Sequence, residues 1–149
     1  MYVDAQMLLS DAQALTATAF STNTIDLASM TPQRDPGVGE PLEVNIQVDV
    51  AADFTTGDET YTFQFVQSAN ANLSSPDILV QEVVLASALT AGAGFTIAIP
   101  QGRITKRYIG LQYTLAGTTP TVTVTAFVQP RSMSSLPKPA THAKGYTIS

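Results

Sequence analysis

The sequence predicts an all-β protein folded as an antiparallel β-sandwich, and three observations support this fold class. Apolar and polar residues alternate with a period of two in five separate stretches. Connectors rich in Gly, Pro, Asp, Ser and Thr separate those stretches, as expected for short strands joined by turns. Charged residues make up 13% of the 149-residue chain, against about 25% in typical soluble domains. Thr, a residue that favours strands, supplies much of the remaining polarity.

The strongest strand signal is Leu42–Val50, in which five aliphatic residues fall on one face and four polar residues on the other. The same period predicts further strands over residues 60–65, 95–99, 109–115 and 121–128. Two weaker patterns, over residues 18–27 and 78–85, bring the expected number to about eight. Residues 78–85 are apolar on both faces, which is typical either of a strand covered on both sides or of an interface.

The N-terminal region departs from this pattern. Residues 4–8 and 11–15 repeat the order Asp-Ala-Gln at a spacing of seven, and Ala, Leu and Gln favour helix. Two such units are too few for a coiled coil, so we expect a short turn or an N-terminal arm over the edge of the sandwich. Asp4 stands where a secretory signal would carry Lys or Arg, so we expect a cytosolic start without a secretion signal.

We assign residues 1–128 to the sandwich domain and residues 129–149 to an extended tail, which has three prolines and no acidic residue. Two interpretations of the tail stay open: a disordered, solvated end, or an arm that becomes ordered on a neighbouring subunit. Tyr146 and Ile148 are spaced to lie on one face of a strand, and this favours addition of the tail to an exposed sheet edge.

No pattern indicates a catalytic site. The chain has no cysteine, which excludes disulfides, thiol nucleophiles, Cys-ligated zinc and iron–sulfur clusters. The single histidine, His142, falls in the tail, where no packed neighbours would fix its tautomer. Asp53, Asp58 and Glu59 have the oxygen ligands of a calcium loop, but a solvated hairpin tip is the favoured interpretation. We therefore expect no enzyme activity, no cofactor, no metal and no small-molecule substrate.

Nucleic-acid and membrane binding are disfavoured. Arg103, Lys106 and Arg107 are too few to neutralise a phosphate backbone, and we expect them to form a salt-bridging loop. The uncharged residues 83–102 and 108–130 are interrupted by Gly, Pro and Thr, so we expect no membrane span.

Carbohydrate binding or adhesion is the main alternative among functions, because antiparallel sandwiches often serve as lectins. Such sites usually need exposed aromatic platforms, and the chain has no Trp. We expect Tyr61 and Tyr113 to pack in the core or at an edge, whereas Tyr108 is a candidate for an outward-facing ring.

Three runs of sequence, residues 1–14, 34–42 and 106–113, resemble the small capsid cement (decoration) proteins of tailed bacteriophages. The resemblance covers roughly residues 1–128, and the tail is longer than the family pattern. It implies a jelly-roll-like sandwich on the outer surface of an icosahedral phage head, made in the host cytoplasm. It further implies a homodimer that clamps neighbouring major capsid proteins together. Another virion or assembly-scaffold role also stays open.

We expect the N-terminal arm, the loop over residues 34–41 and the tail to make the contacts with the major capsid protein and with a second copy. The candidate interaction residues in these segments are Tyr2, Met7, Leu8, Arg34, Asp35, Glu40, Arg131, Lys138, Lys144, Tyr146 and Ile148. Residues 1–128 carry 12 acidic and 4 basic residues, a net charge of −8, whereas the tail carries three basic residues. A cationic tail beside an acidic body favours docking on an acidic neighbour, including another copy of the chain.

Overall fold

A computed structural model of the chain describes residues 5–29 and 39–133. The strands in these residues are β1 (Leu8–Leu15), β2 (Ala19–Phe20), β3 (Ile25–Asp26), β4 (Leu42–Val50), β5 (Thr60–Ser68), β6 (Asp77–Val84), β7 (Gly94–Ala98), β8 (Tyr108–Ala116) and β9 (Val122–Pro130). Short 3-10 turns lie at Ala5–Met7, Leu27–Ser29, Ala86–Ala88 and Arg131–Met133.

The strands form two antiparallel sheets. One sheet has the order β1-β9-β4-β7, and the other has the order β2-β8-β5-β6, with the short β3 also paired to β8. The first and last strands are neighbours and the chain passes repeatedly between the sheets, which is the arrangement of a jelly roll. The predicted all-β, jelly-roll-like sandwich is confirmed, with nine strands in the described residues where about eight were expected.

The hydrophobic core lies between the sheets and is built from the inward-facing residues of the alternating strands. In β4 the predicted aliphatic face is buried from Val44 to Val48, and Ile46 at its centre is inaccessible to solvent. The prediction is wrong for Val50, which is 59% exposed because a register shift after Val48 turns it away from the core. From the facing sheet, Phe63 packs edge-on against Phe95, with ring centroids 5.0 Å apart. It packs in the same manner against Tyr113 at 5.7 Å, so aromatic contacts join β5, β7 and β8 across the core.

The N-terminal region does not form the helix that its composition favours. Ala5–Met7 makes a single 3-10 turn, and β1 follows as an edge strand paired to β9. Burial of Leu9 and Leu15 in the core, together with the ladder to β9, outweighs a weak helix propensity. Two register shifts and a positive φ of 43° at Ala12 bend this strand, as β-bulges do at sheet edges.

The weaker pattern over residues 18–27 is divided between β2 and β3, which both pair with β8. Ser21 lies between them. Its hydroxyl donates to the carbonyl of Asn23 at 2.8 Å and accepts the backbone N–H of Leu111 at 3.1 Å. A side chain therefore replaces one rung of the backbone ladder, and the chain stays attached to β8 through the break.

The sandwich has two ends. At the tail-proximal end β4, β6 and β8 begin and β5, β7 and β9 finish, and at the distal end the directions are reversed. The hydroxyl of Tyr61 joins the sheets at the distal end. It donates to the carbonyl of Asp53 at 2.6 Å and accepts the N–H of Thr121 at 3.2 Å.

Candidate functional site

The three segments to which the sequence assigns contacts all adjoin the tail-proximal end. The N-terminal residues lead into β1, which begins with Leu8 paired to Phe127 of β9. The loop over residues 34–41 leads into β4. Gln129 and Pro130, which the sequence assigned to the tail, are the last two residues of β9, and Gln129 is buried, so the tail begins at Arg131. Since Leu42 pairs with Pro130, that loop and the tail leave the sandwich from neighbouring strands.

Four candidate interaction residues are described by the structure: Met7, Leu8, Glu40 and Arg131. The other candidates lie outside the described residues: Tyr2, Arg34, Asp35, Lys138, Lys144, Tyr146 and Ile148.

Glu40 and Arg131 are brought together where β4 begins and β9 ends. The backbone N–H of Arg131 donates to the carbonyl of Pro41 at 2.8 Å, and the Ser132 hydroxyl donates to Glu40 Oε1 at 2.8 Å. Arg131 Nε lies 3.9 Å from Oε2 of Glu43, whose side chain is 5% exposed while that of Arg131 is 62% exposed. A buried carboxyl group therefore anchors a cation that is presented to the surface.

A cluster on the outer face of the four-stranded sheet lies beside this cation, and we call it the outer cluster. It consists of Glu43, Asn45, Phe127 and Gln129, which are all buried although their positions alternate with the core-facing residues. Gln129 Nε2 donates to Glu43 Oε1 at 2.9 Å. Both polar side-chain atoms of Asn45 are buried without a hydrogen-bond partner in residues 5–29 and 39–133, at a typical cost of about 1–3 kcal/mol.

Sequence reasoning missed the outer cluster. The alternation in β4 predicts that Glu43 and Asn45 share the polar face, but it gives no indication that this face is covered. One residue could have indicated the cover. Phe127 is a large aromatic residue on the outward face of β9, where the two preceding residues, Thr123 and Thr125, are polar.

Met7 and Leu8 lie in a second part of the same end. An open cleft of about 700 Å³ separates residues 5–8 from residues 22–26, and Asn23 Nδ2 donates across it to the carbonyl of Leu8 at 3.2 Å. Both side chains are partly buried. Leu8 pairs with Phe127, which lies three residues before Pro130 in β9, or about 10 Å along the strand. Met7 and Leu8 are therefore at the same end of the sandwich as Glu40 and Arg131 but do not pair with them.

The basic loop before β8 forms the expected salt bridges through two of its three residues. Lys106 Nζ lies 2.8 Å from Asp77 Oδ2, and Arg107 donates to both carboxylate oxygens of Asp26 at 2.8 and 2.9 Å. The guanidinium holds the pKa of Asp26 below its ordinary value. It also lies 5.0 Å over the ring of Tyr108, so this partly buried ring is not an open platform for a sugar.

The carboxylates proposed for a hairpin tip are engaged by hydroxyl and backbone donors. Asp58 accepts from the hydroxyls of Thr56 at 2.6 Å and Thr118 at 3.0 Å. Glu59 accepts from the Thr56 hydroxyl and from Gly57 N–H. The expected hairpin is wrong, because residues 51–59 connect β4 of one sheet to β5 of the other. The expected solvation holds for Asp58, which is exposed, whereas Glu59 is buried. No group of three His, Cys, Asp or Glu residues in the described part of the chain is placed to hold a metal ion.

The apolar residues of the strand over residues 78–85 are partly left at the surface. β6 is an edge strand, and Ile78, Val83 and Leu85 are 48%, 62% and 75% exposed. Of the two interpretations, the strand covered on both faces is wrong and an interface stays a prediction. Val50 and Phe54 are also exposed at the distal end. None of the helices formed by residues 5–29 and 39–133 is long and apolar enough to cross a membrane.

The comparison with protein families follows the limits of the sandwich closely. The model of the family described as Bbp16 matches residues 9–128. The chain belongs to the Bbp16 family. No curated protein matches it. The Bbp16 match includes Arg34, Asp35 and Glu40, and the remaining candidate interaction residues lie outside it.

Proposed function

We propose that this member of the Bbp16 family is a structural virion protein that cements neighbouring major capsid proteins on the outer surface of a phage head. The observation that carries the proposal is that the described residues next to the arm, the loop and the tail, namely Met7, Glu40 and Arg131, lie at the same end of the sandwich. The resemblance of residues 1–14, 34–42 and 106–113 to capsid cement proteins supports it. The family name also suggests a phage-related protein.

The physical requirement for a cement protein is adhesion. A shell filled with DNA is under outward load, and each bound copy adds contacts whose free energies sum over the shell. The exposed cation of Arg131 and carboxylate of Glu40, flanked by apolar Met7 and Leu8, offer polar and apolar contact groups at one end of a rigid sandwich. A specific interface of standard size buries about 800 Å² on each partner, which three converging segments can supply.

The proposed partners are the major capsid protein and a second copy of this chain. The low proportion of charged residues and the apolar edge residues suit protein–protein contacts. The chain has a net charge of −5, which disfavours the phosphate backbone of DNA as a partner.

Co-sedimentation with purified capsids that lack this protein tests the proposal. The full chain is expected to sediment with expanded capsids, and R131E is expected to reduce the bound amount several-fold by reversing the exposed cation. D11K is the matched control, because it also reverses an exposed charge but lies within β1. Thermal unfolding of each variant establishes that the fold is intact. Failure of the full chain to sediment with capsids would overturn the proposal.

The carbohydrate-binding alternative predicts a different result. Saturable binding of the full chain on a glycan array, without binding to capsids, would favour that class of function.

A further inference from the structure

The two sheets end side by side in the edge strands β6 and β7. Among the described strands β6 pairs only with β5, and β7 only with β4. Each edge strand therefore keeps one row of backbone N–H and C=O groups that a further strand can bind. A groove of about 430 Å³ lies between them, lined mainly by residues 82–85 and 93–96; we call it the edge groove.

The β6 edge is more apolar than a protected edge strand. Ile78, Val83 and Leu85 are 48%, 62% and 75% exposed in the single chain. Edge strands are normally shielded by charged residues, Pro or bulges, because an unshielded edge recruits another strand. In β6 these protections lie at its start, where Asp77 binds Lys106 and a bulge falls between Ile78 and Val80. Beyond Val80 the only charged residue up to Leu85 is Glu82.

Glu82 occupies a position that suits an ionic contact with an added strand. It pairs with the core residue Phe63 across the ladder, so its side chain is on the core-facing side of β6, and it lines the edge groove. It is exposed and forms no salt bridge with another described residue. Glu82 also has a simple protective role as an inward-pointing edge charge, but it is one side chain, the sixth, of an eight-residue strand.

The C-terminal sequence has the pattern of a strand that complements this edge. After Pro139, residues 140–149 contain neither proline nor an acidic residue. Lys144, Tyr146 and Ile148 are spaced at intervals of two, so in an extended segment they share one face. An added strand of this sequence would bring a cation and two large apolar groups to the same side.

We propose that residues 140–149 of a second copy of this chain add as a strand to β6 and cover the edge groove. An antiparallel register that sets Lys144 opposite Glu82 also sets Tyr146 opposite Val80, the next core-facing residue of β6. Backbone hydrogen bonds would supply the part of the affinity that does not depend on side chains, and the Lys144–Glu82 and Tyr146–Val80 pairs would fix the register.

The donor is a second copy because an antiparallel strand enters β6 from the distal end, where β6 finishes, whereas β9 delivers its own chain to the tail-proximal end. The eight residues of β6 span about 26 Å between those ends. Residues 134–139 provide a connection of six residues, which spans about 20 Å when extended. The acidic body and the basic tail attract each other. Two copies that exchange tails reciprocally close into a symmetric dimer.

Self-association of the purified chain without capsids tests this interface, so that its failure is distinct from failure of the capsid proposal. Sedimentation equilibrium is expected to show a dimer for the full chain and a monomer for a variant that ends at Met133, which keeps β9 whole. Hydrogen exchange is expected to show protection of the β6 amides in the full chain that is lost in the shortened variant.

Exchanging the two charges tests whether Glu82 and Lys144 are paired, and whether the pair forms between two molecules or within one. E82K and K144E are each expected to raise the dimer Kd about threefold or more, because each creates a like-charge pair. An equal mixture of the two variants restores both pairs between different molecules, so the affinity is expected to return to that of the unmodified chain. A contact within one molecule would show no recovery on mixing.

Three results would overturn the inference. The first is a full chain that stays monomeric at every concentration. The second is a variant ending at Met133 that dimerises as strongly as the full chain. The third is a mixture of E82K and K144E whose dimer Kd is no lower than that of either variant alone. Unchanged thermal unfolding of the three variants ensures that altered association is not a consequence of misfolding.

Discussion

Leu73 lies directly over Gly110, on the outer face of the five-stranded sheet. A Cβ atom built at Gly110 would be 2.7 Å from Leu73 Cδ1 and 3.0 Å from the hydroxyl oxygen of Ser21. Leu73 is fully buried and belongs to the loop between β5 and β6. The absence of a side chain at Gly110 therefore allows this loop to fold back onto β8.

The first prediction concerns this contact. G110A is expected to lower the free energy of unfolding by about 1–3 kcal/mol, because the added methyl group overpacks the site. Combining G110A with L73A should cost less than the sum of the two single changes, which chemical denaturation can measure. Additive losses would show that Leu73 is not the group that excludes a side chain at Gly110.

The second prediction concerns a buried hydroxyl pair. Ser10 Oγ donates to Gln13 Oε1 at 2.7 Å, so the Tyr113 hydroxyl donates to Ser10 Oγ, also at 2.7 Å. Burial raises the pKa of Tyr113 above its ordinary value. Y113F is expected to cost about 1 kcal/mol, and S10A about 1–3 kcal/mol because it leaves the buried phenol without this partner.

A double-mutant cycle checks that pair. The combined variant S10A/Y113F is expected to be less destabilised than the two single changes predict together, since neither group is then left unpaired. A coupling of zero would contradict a direct hydrogen bond between the two hydroxyls.

The third prediction concerns acid stability. Hydrogen bonds from Thr56 and Thr118 lower the pKa of Asp58 below its ordinary value of 3.8, and Thr56 similarly lowers that of Glu59 below 4.5. A carboxylate with a lowered folded-state pKa stabilises the fold above its unfolded pKa, and this stability is lost as the pH falls through the folded-state value. Unfolding midpoints should therefore decrease as the pH falls below these ordinary values.

The matched variants are D58N and D11N. D58N is expected to be less stable at neutral pH and to lose less stability on acidification, because it lacks one of the two carboxylates whose pKa is lowered by folding. D11N, which changes an exposed carboxylate in β1, should follow the unmodified chain. Identical acid profiles for D58N and the unmodified chain would rule out this role of the Asp58 hydrogen bonds.

The fourth prediction compares two glycines with positive φ. Gly117 has a φ of +104°, and a Cβ there would be 2.6 Å from the carbonyl oxygen of Asp58. Gly92 has a φ of +84° with nothing within 4 Å of a Cβ. G92A should cost about 1–2 kcal/mol through backbone strain alone. G117A should cost clearly more in the same denaturation assay, and equal losses would exclude a steric contribution from Asp58.

The fifth prediction concerns Asn45. N45V removes an amide that is buried without a partner among the described residues and substitutes the apolar side chain closest to it in volume, so it is expected to raise the free energy of unfolding by about 1–3 kcal/mol. Denaturation midpoints measure this gain. A loss of stability would show that the amide is satisfied in solution.

The sequence predicted the strands whose alternation was complete. β4 has the bounds expected for it, and Val44, Ile46 and Val48 enter the core as its alternation predicts, whereas a register shift turns Val50 outward. β1 was not predicted as a strand, because its Ala, Leu and Gln residues favour helix locally, and the pairing partner that overrides them is β9, over a hundred residues away in the chain.

The candidate site was predictable only in part. The segments that meet at the tail-proximal end could be named from the sequence, but their convergence depends on strand order. The salt bridges of Lys106 and Arg107 were expected from charge, whereas their partners Asp77 and Asp26 are distant in sequence. Burial of Asn45 could not be predicted, since alternation assigns a face without saying what covers it.

The position of β9 between β1 and β4 has a consequence for biosynthesis. Both neighbours of this strand emerge from the ribosome before it does, so the four-stranded sheet cannot close until residue 130 has been made. Folding of this sheet must therefore await β9, and the many long-range strand pairings are expected to make it slow, on the scale of milliseconds to seconds. Until then the apolar strands of a nascent chain depend on chaperones or dilution to avoid pairing with one another.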